Sequence, residues 1–179
     1  PPPLPPPVRL VVGLCSSEPA LFDELMDRLA LEYGPVLFES GRSAASAGLT
    51  ETDVLEGWVA LGEPIDPGQI MQVKLYALRV ERLYLNPQNQ KRIVLDVAYV
   101  DPARVVRAVE HDAAHRIYLG AGIYGEVILR WRQPGGFEPM PWTRPEHSVP
   151  ERRGFFEHVR EEWIQWLKQA KQPKPPPPG

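Results

Sequence analysis

Between two proline-rich ends, the chain carries apolar stretches of two periods. VRLVVGLC (8–15) is a β-branched run ending at Ser16-Ser17-Glu18-Pro19, which predicts a strand and then a helix start with a capping hydroxyl and an early proline. Phe22, Leu25, Met26, Leu29 and Tyr33 recur at helical spacing, and Gly34-Pro35 supplies the stop. Val36 to Glu39 predicts a short strand. The small, polar stretch SGRSAASAGLTETDVLEG (40–57) reads as a loop, with room for a helical turn after Thr50.

WVALGEPIDPGQI and RIVLDVAYVDPARV share a design: each runs from an apolar strand into Asp-Pro, at Asp66-Pro67 and Asp101-Pro102. Aspartate as N-cap and proline at the first helical position suit a helix start, so helices are expected after both. The first carries Ile70, Val73, Ala77, Val80 and Tyr84 on one stripe; the second ends near Glu110. HRIYLGAGIYGEVILRWR (115–132) has two β-rich arms around glycines and predicts a hairpin. A last amphipathic helix carries Phe155, Phe156, Val159, Trp163, Trp166 and Leu167. This order predicts an α+β fold: a mixed or antiparallel sheet with packed helices, a ferredoxin-like core being one arrangement it allows, plus a C-terminal hairpin and helix.

Composition narrows the class. Of the 22 prolines, six lie in residues 1–7 and five in 173–178. Proline-rich segments lack amide donors and favour extended polyproline II, so disordered tails are expected at 1–7 and 171–179 around one domain at 8–170. A net charge of -3 gives no global field for phosphate backbones, so no nucleic-acid partner is expected. Cys15 stands alone, which excludes an intramolecular disulfide and any multi-cysteine cluster. No apolar run approaches the roughly 20 residues that span a bilayer, and PPPLPPPVRL has neither the n-region nor the h-region of a signal peptide. The expectation is a cytoplasmic protein without a membrane partner or cofactor, its oligomeric state open.

Two motifs fail on context. Gly120-Ala121-Gly122-Ile123-Tyr124-Gly125 matches G-x-G-x-x-G, but the β-branched EVILRWR follows where a dinucleotide site needs a helix. Glycines permitting positive φ at a hairpin turn account for it. His111 and His115 stand four apart as in a zinc helix, but join a predicted helix end to a strand, so no metal site is expected.

Asp96 sits inside the apolar strand IVLDVAYV, where a carboxylate must be paired, hydrogen-bonded or protonated. Lys74, His115 and Arg116 are its candidate partners in neighbouring predicted elements. Arg116 and Glu126 are equidistant from Ala121, so a symmetric three-residue turn at 120–122 places them opposite each other. They form either a cross-strand ion pair or an arginine held ready for an anion, with Tyr118, Tyr124 and Trp142 nearby.

HRIYLGAGIYGEVIL followed by PMPWTRPE resembles the uncharacterised bacterial domain-of-unknown-function family 4416, whose members carry H-R-I-Y-L-x-x-G-I-Y-x-E and then W-T-Y-P-D-Y. The similarity runs over residues 8–166 and implies relatives without a known reaction. His115, Arg116, Tyr118, Tyr124, Glu126, Trp142 and Thr143 match the family pattern. Residues 40–57, Val94, Val97, Ala98, Arg144, Glu146 and His147 depart from it.

The candidate ligand-binding residues are therefore Lys74, Asp96, His115, Arg116, Tyr118, Tyr124, Glu126, Trp142 and Thr143. The leading expectation is a domain that binds a small anionic ligand or a partner's acidic group. One alternative is an enzyme using Asp96 or Glu126 with His115 and Arg116 on a small anionic substrate. Another is a structural subunit docking through the aromatic C-terminal helix.

Overall fold

The computed structural model describes residues 1–45, 48–50 and 52–171. Nine strands form one antiparallel sheet: β1 (Arg9–Ser16), β2 (Val36–Glu39), β3 (Ser43–Ala44), β4 (Leu55–Leu61), β5 (Ile93–Val100), β6 (Arg104–Val109), β7 (Ile117–Gly120), β8 (Ile123–Arg132) and β9 (Gly136–Pro139). Among the described residues four α-helices accompany it: α1 (Ala20–Tyr33), α2 (Ile70–Leu83), α3 (Pro145–Ser148) and α4 (Pro150–Ala170). The fold is α+β, with strand order β2-β4-β1-β5-β6-β8-β7; β3 pairs with β4 and β9 with β8. Taken with α1 and α2 as crossovers, β2-β4-β1-β5 is the split βαβ order of the expected ferredoxin-like core.

Alternation along β1 divides the interior into two layers. Leu10, Val12 and Leu14 face α1 and α2 with Leu25, Leu29, Val73 and Ala77. Val11 faces the other way, toward Trp58, Phe155, Phe156 and Val159 under α4. Gly13 is required there, because a Cβ would lie 2.7 Å from the buried Trp58 ring. Arg9 anchors α4: its guanidinium binds the Glu162 carboxylate and the carbonyls of Leu61 and Gly62, 4.6 Å from the centroid of the Trp163 ring. Trp163 is fully buried and Trp166, stacked on it, is partly covered. The exposed indole that docking through this helix requires is therefore not offered by Trp163.

Four local expectations are corrected. The segment after Asp101-Pro102 is a strand, β6, hairpinned to β5, and no helix forms there. Asp-Pro serves both outcomes: Asp66 Oδ1 accepts from Gly68 N in a capping box that opens a 3-10 turn running into α2, and Asp101 Oδ1 accepts from Ala103 N and Arg104 N. The following residues decide, since RVVRAV (104–109) is rich in β-branched valine and too short for a stable helix. Second, Ser16 Oγ accepts from Glu18 N and leaves α1 without a side-chain cap, Pro19 standing at N-cap. Third, β4 begins at Leu55 and β3 pairs with it, so residues 52–54 form no helical turn; residues 46, 47 and 51 lie outside the described part.

The fourth correction is the hairpin. Its loop has two residues, Ala121 (φ 51) and Gly122 (φ 79), where a three-residue turn is expected. A register shift between Tyr118 and Gly120 restores the pairing to Ile117 opposite Gly125, so Arg116 still reaches Glu126. At the N-terminus, residues 1–6 are exposed without regular structure, and Val8 bridges Ile65. Of the C-terminal tail, residues 172–179 lie outside the described part.

Candidate functional site

On the α4 side of the sheet, three adjacent strands each contribute one charged residue. Register sets Arg107 of β6 opposite Glu126 of β8, and Asp96 lies on β5 beyond it. Arg107 Nε donates to Asp96 Oδ1 at 2.7 Å and its NH1 to Glu126 Oε1 at 3.1 Å. Arg116 Nε donates to Glu126 Oε2 at 2.9 Å, and His115 Nε2 lies 2.6 Å from the same oxygen. His147 Nε2 stands 3.3 Å from Asp96 Oδ2. Asp96 is thus buried and paired, but with Arg107 and His147; among the expected partners, Arg116 and His115 belong to Glu126.

Burial alone would raise the Asp96 carboxyl; the Arg107 guanidinium and His147 outweigh it and hold the group well below the usual carboxylate range. Glu126 is likewise lowered: burial opposes ionisation, but hydrogen bonds from Arg116 and His115 prevail. Cys15 lies nearby with its thiol bonded to Glu56 Oε2. Burial first, then the Glu56 charge, pushes this thiol upward, which makes it inert as a nucleophile. Glu56 also accepts from Trp58 Nε1 and pairs with Arg152.

A cleft opens where β5 and β6 part. Their pairing runs from Val100↔Val105 to Val97↔Ala108 and stops, so near Leu95 the β5 backbone is paired with β1 on one edge and has no strand on its β6 edge. Helix α2 supplies the missing partners: Lys74 Nζ donates to Leu95 O at 3.1 Å, and Leu95 N donates to Glu81 Oε1 at 2.9 Å. A seven-residue interval, two helical turns, puts both side chains on one face of α2. Lys74 is 4% exposed; its nearest carboxylate oxygen, on Glu110, is 3.6 Å away. Lys91 Nζ covers Glu81 at 2.8 Å.

The cleft has a volume of about 320 Å³. Lys74, Lys91, Arg107, Arg116 and Arg144 line it against Glu56, Asp96, Glu110 and Glu146, with His111 and His147. Buried His147 has no hydrogen-bond partner at Nδ1 among the described residues.

The remaining expected residues lie elsewhere. β7 pairs with 123–125 of β8 and β9 with 129–132, so the edge of β8 is bare between them. Trp142 Nε1 donates to Val127 O at 2.8 Å and the Thr143 hydroxyl donates to Ile128 O, closing that gap with side chains. The Trp142 ring also stacks on His115 at 4.6 Å. Tyr118 and Tyr124 are cross-strand neighbours on the hairpin, and Tyr118 is 61% exposed.

A family model described as "Domain of unknown function (DUF4416)" matches residues 6–163. The chain belongs to this family. No curated protein and no solved structure matches it. In this DUF4416 domain the whole network, Asp96, Arg107, His115, Arg116, Glu126 and His147, lies within the matched span. Among the described residues no group of three or more His, Cys, Asp or Glu side chains could hold a metal ion, and no helix is long and apolar enough to cross a membrane. Sequence reasoning missed Arg107, Glu81 and His147. Arg107 had a signal: it alternates with Val105 and Val109, so a strand would point it inward with them.

Proposed function

We propose that this DUF4416 domain binds a small anionic ligand, carrying phosphate or carboxylate, in the cleft between β5 and β6. One observation carries the reading: α2 buries the Lys74 ammonium in the wall of that cleft, with one hydrogen bond at 3.1 Å and its nearest carboxylate at 3.6 Å. An ammonium has three donors, and a buried cation needs a close counter-charge. A ligand anion supplies it. Arg144, whose contact with Glu146 is 3.8 Å, stands at the same cleft as a second cation.

The catalytic alternative draws less support from the same geometry. Asp96 and Glu126 are held ionised by the arginine and histidine partners on their oxygens, and a carboxylate of lowered pKa is a poor general base near neutrality.

Thermal unfolding measured with inorganic phosphate, citrate and sodium chloride at matched ionic strength tests the proposal. The expected result is a saturable rise in Tm with phosphate or citrate. Lys74→Met and Arg144→Ala should each remove it. A rise no larger than that in chloride, or one that Lys74→Met leaves intact, overturns the reading.

A further inference from the structure

The face of the sheet opposite α4 is only partly covered. Helices α1 and α2 pack over β4, β1 and β5, and their core extends to Ala108 and Ile123. Beyond α2, the stretch of this face that carries Val106 and Val127 has no helix over it among the described residues. Val106 and Val127 are cross-strand partners there, each half-buried, and a groove of about 490 Å³ lies over them. Ile70 forms one wall. Leu119 forms another, leaning over Gly125 closely enough that a Cβ on that glycine would meet its Cδ1 at 3.3 Å. Leu119 and Trp142 remain 38% and 37% exposed, a larger apolar showing than a solvated hairpin requires.

The groove has a polar end. Arg104 of β6 and Arg130 of β8 are direct cross-strand partners, and both line it. Like charges directly opposite on one face are unfavourable. Arg104 has Asp101 at 3.4 Å. Among the described residues no carboxylate lies within ion-pair distance of Arg130; Glu138, its partner on β9, is drawn to Arg132 instead. Two guanidiniums facing each other at the end of an apolar channel complement one anionic head on one apolar tail.

We infer that this groove is a second binding site, one that takes an amphipathic carboxylate with its tail over Val106 and Val127 and its head between Arg104 and Arg130. The volume lies within the range of small-molecule sites, roughly 300–1,000 Å³. The polarity is what selects the occupant: a purely apolar partner leaves the arginine pair unbalanced, and a small inorganic anion leaves the channel uncovered.

Isothermal titration of the full chain with sodium octanoate, 1-octanol and sodium acetate tests it. Octanoate should saturate one site and bind at least about tenfold more tightly than either control, because each control lacks one half of the recognition. Arg130→Glu, at an exposed position, should weaken octanoate by a similar factor. Val127→Arg should block the channel, while Lys74→Met, in the separate polar cleft, should leave octanoate affinity unchanged. Octanol binding as well as octanoate would mark an unselective apolar patch and overturn the inference. So would octanoate binding untouched by Arg130→Glu, or a concentration-dependent dimer that octanoate does not dissociate.

Discussion

Arg107 Nε donates to Asp96 Oδ1 at 2.7 Å, close to the last β5–β6 ladder pair and at the brink of the cleft. Because the same guanidinium also reaches Glu126, Arg107 joins three strands where backbone pairing between two of them is about to end. Burial would lower its pKa, but the two carboxylates reverse that and keep the cation charged. The network thus ties β5, β6 and β8 together beside the cleft.

The two ends of the Arg107–Asp96 pair should respond unequally to mutation. Arg107→Leu leaves two buried carboxylates short of a cation and should cost about 3–5 kcal/mol. Asp96→Asn leaves Arg107 paired with Glu126, so about 1–3 kcal/mol is expected. Adding Asp96→Leu to Arg107→Leu should recover part of the larger loss, since Glu126 keeps Arg116 and His115. Urea denaturation of the three variants measures this; equal costs for the two single variants would show that the residues do not act as a network.

Both carboxylates are depressed in the folded state, which fixes the sign of the pH dependence. Their stabilisation is fully present above the unfolded values, about 3.9 for Asp and 4.3 for Glu. It is lost as pH falls from there through the lower folded values, because the unfolded chain binds protons first. Stability should therefore decline steeply below pH ~4. Asp96→Asn should flatten that decline, as read from ΔG of unfolding in urea at successive pH values. An unchanged acid slope would exclude Asp96 as a contributor.

How far the sequence discloses this arrangement depends on the residue. The apolar stripes at 22–33 and 70–84 have one structural solution, and both become helices where their spacing places them. Asp96 must be paired wherever it is buried, so its burial and need for a cation are legible, but its partner is not. Arg107 belongs to a segment introduced by Asp-Pro, and that dipeptide satisfies a turn before a strand as well as a turn before a helix. Lys74 stands out as a cation on α2, yet its role depends on the place where β5 and β6 separate, which is a property of two strands together. His147 comes to Asp96 through α3, with no local pattern to announce it.

Thr143 closes a gap in the sheet edge, so its hydroxyl should matter beyond its volume. It accepts from Met140 N at 2.8 Å and donates to Ile128 O. Thr143→Val keeps the shape, removes both bonds and should cost about 1–3 kcal/mol. Thr143→Ser should retain most of that stability. Faster hydrogen exchange at Met140 in the valine variant is the local readout, and protection equal to wild type would show that the hydroxyl is dispensable.

The hairpin turn holds one residue in an unfavourable conformation. Ala121 has φ 51 beside Gly122 at φ 79, and a two-residue turn with positive φ at both positions is the type for which Asn-Gly is preferred. An L-residue with a Cβ in the left-handed region is disfavoured by roughly 1–2 kcal/mol, and Ala121 is exposed, without packing to offset it. Asparagine tolerates that region at less cost, so Ala121→Asn should stabilise by up to about 1 kcal/mol. Ala121→Gly removes the Cβ strain but adds freedom to the unfolded chain, and should gain less. Ala121→Val should lose about 1 kcal/mol or more, because a β-branched side chain fits this region worst. The expected order of stability is Asn, then Gly, then Ala, then Val, at constant m-value in urea. Because the turn together with the bulge before it sets Arg116 beside Glu126, the valine variant should also loosen that pair. A chemical-shift change at the Arg116 side chain in valine, absent in asparagine, is the accompanying signature. Equal stability across all four residues would mean that position 121 does not adopt positive φ in solution.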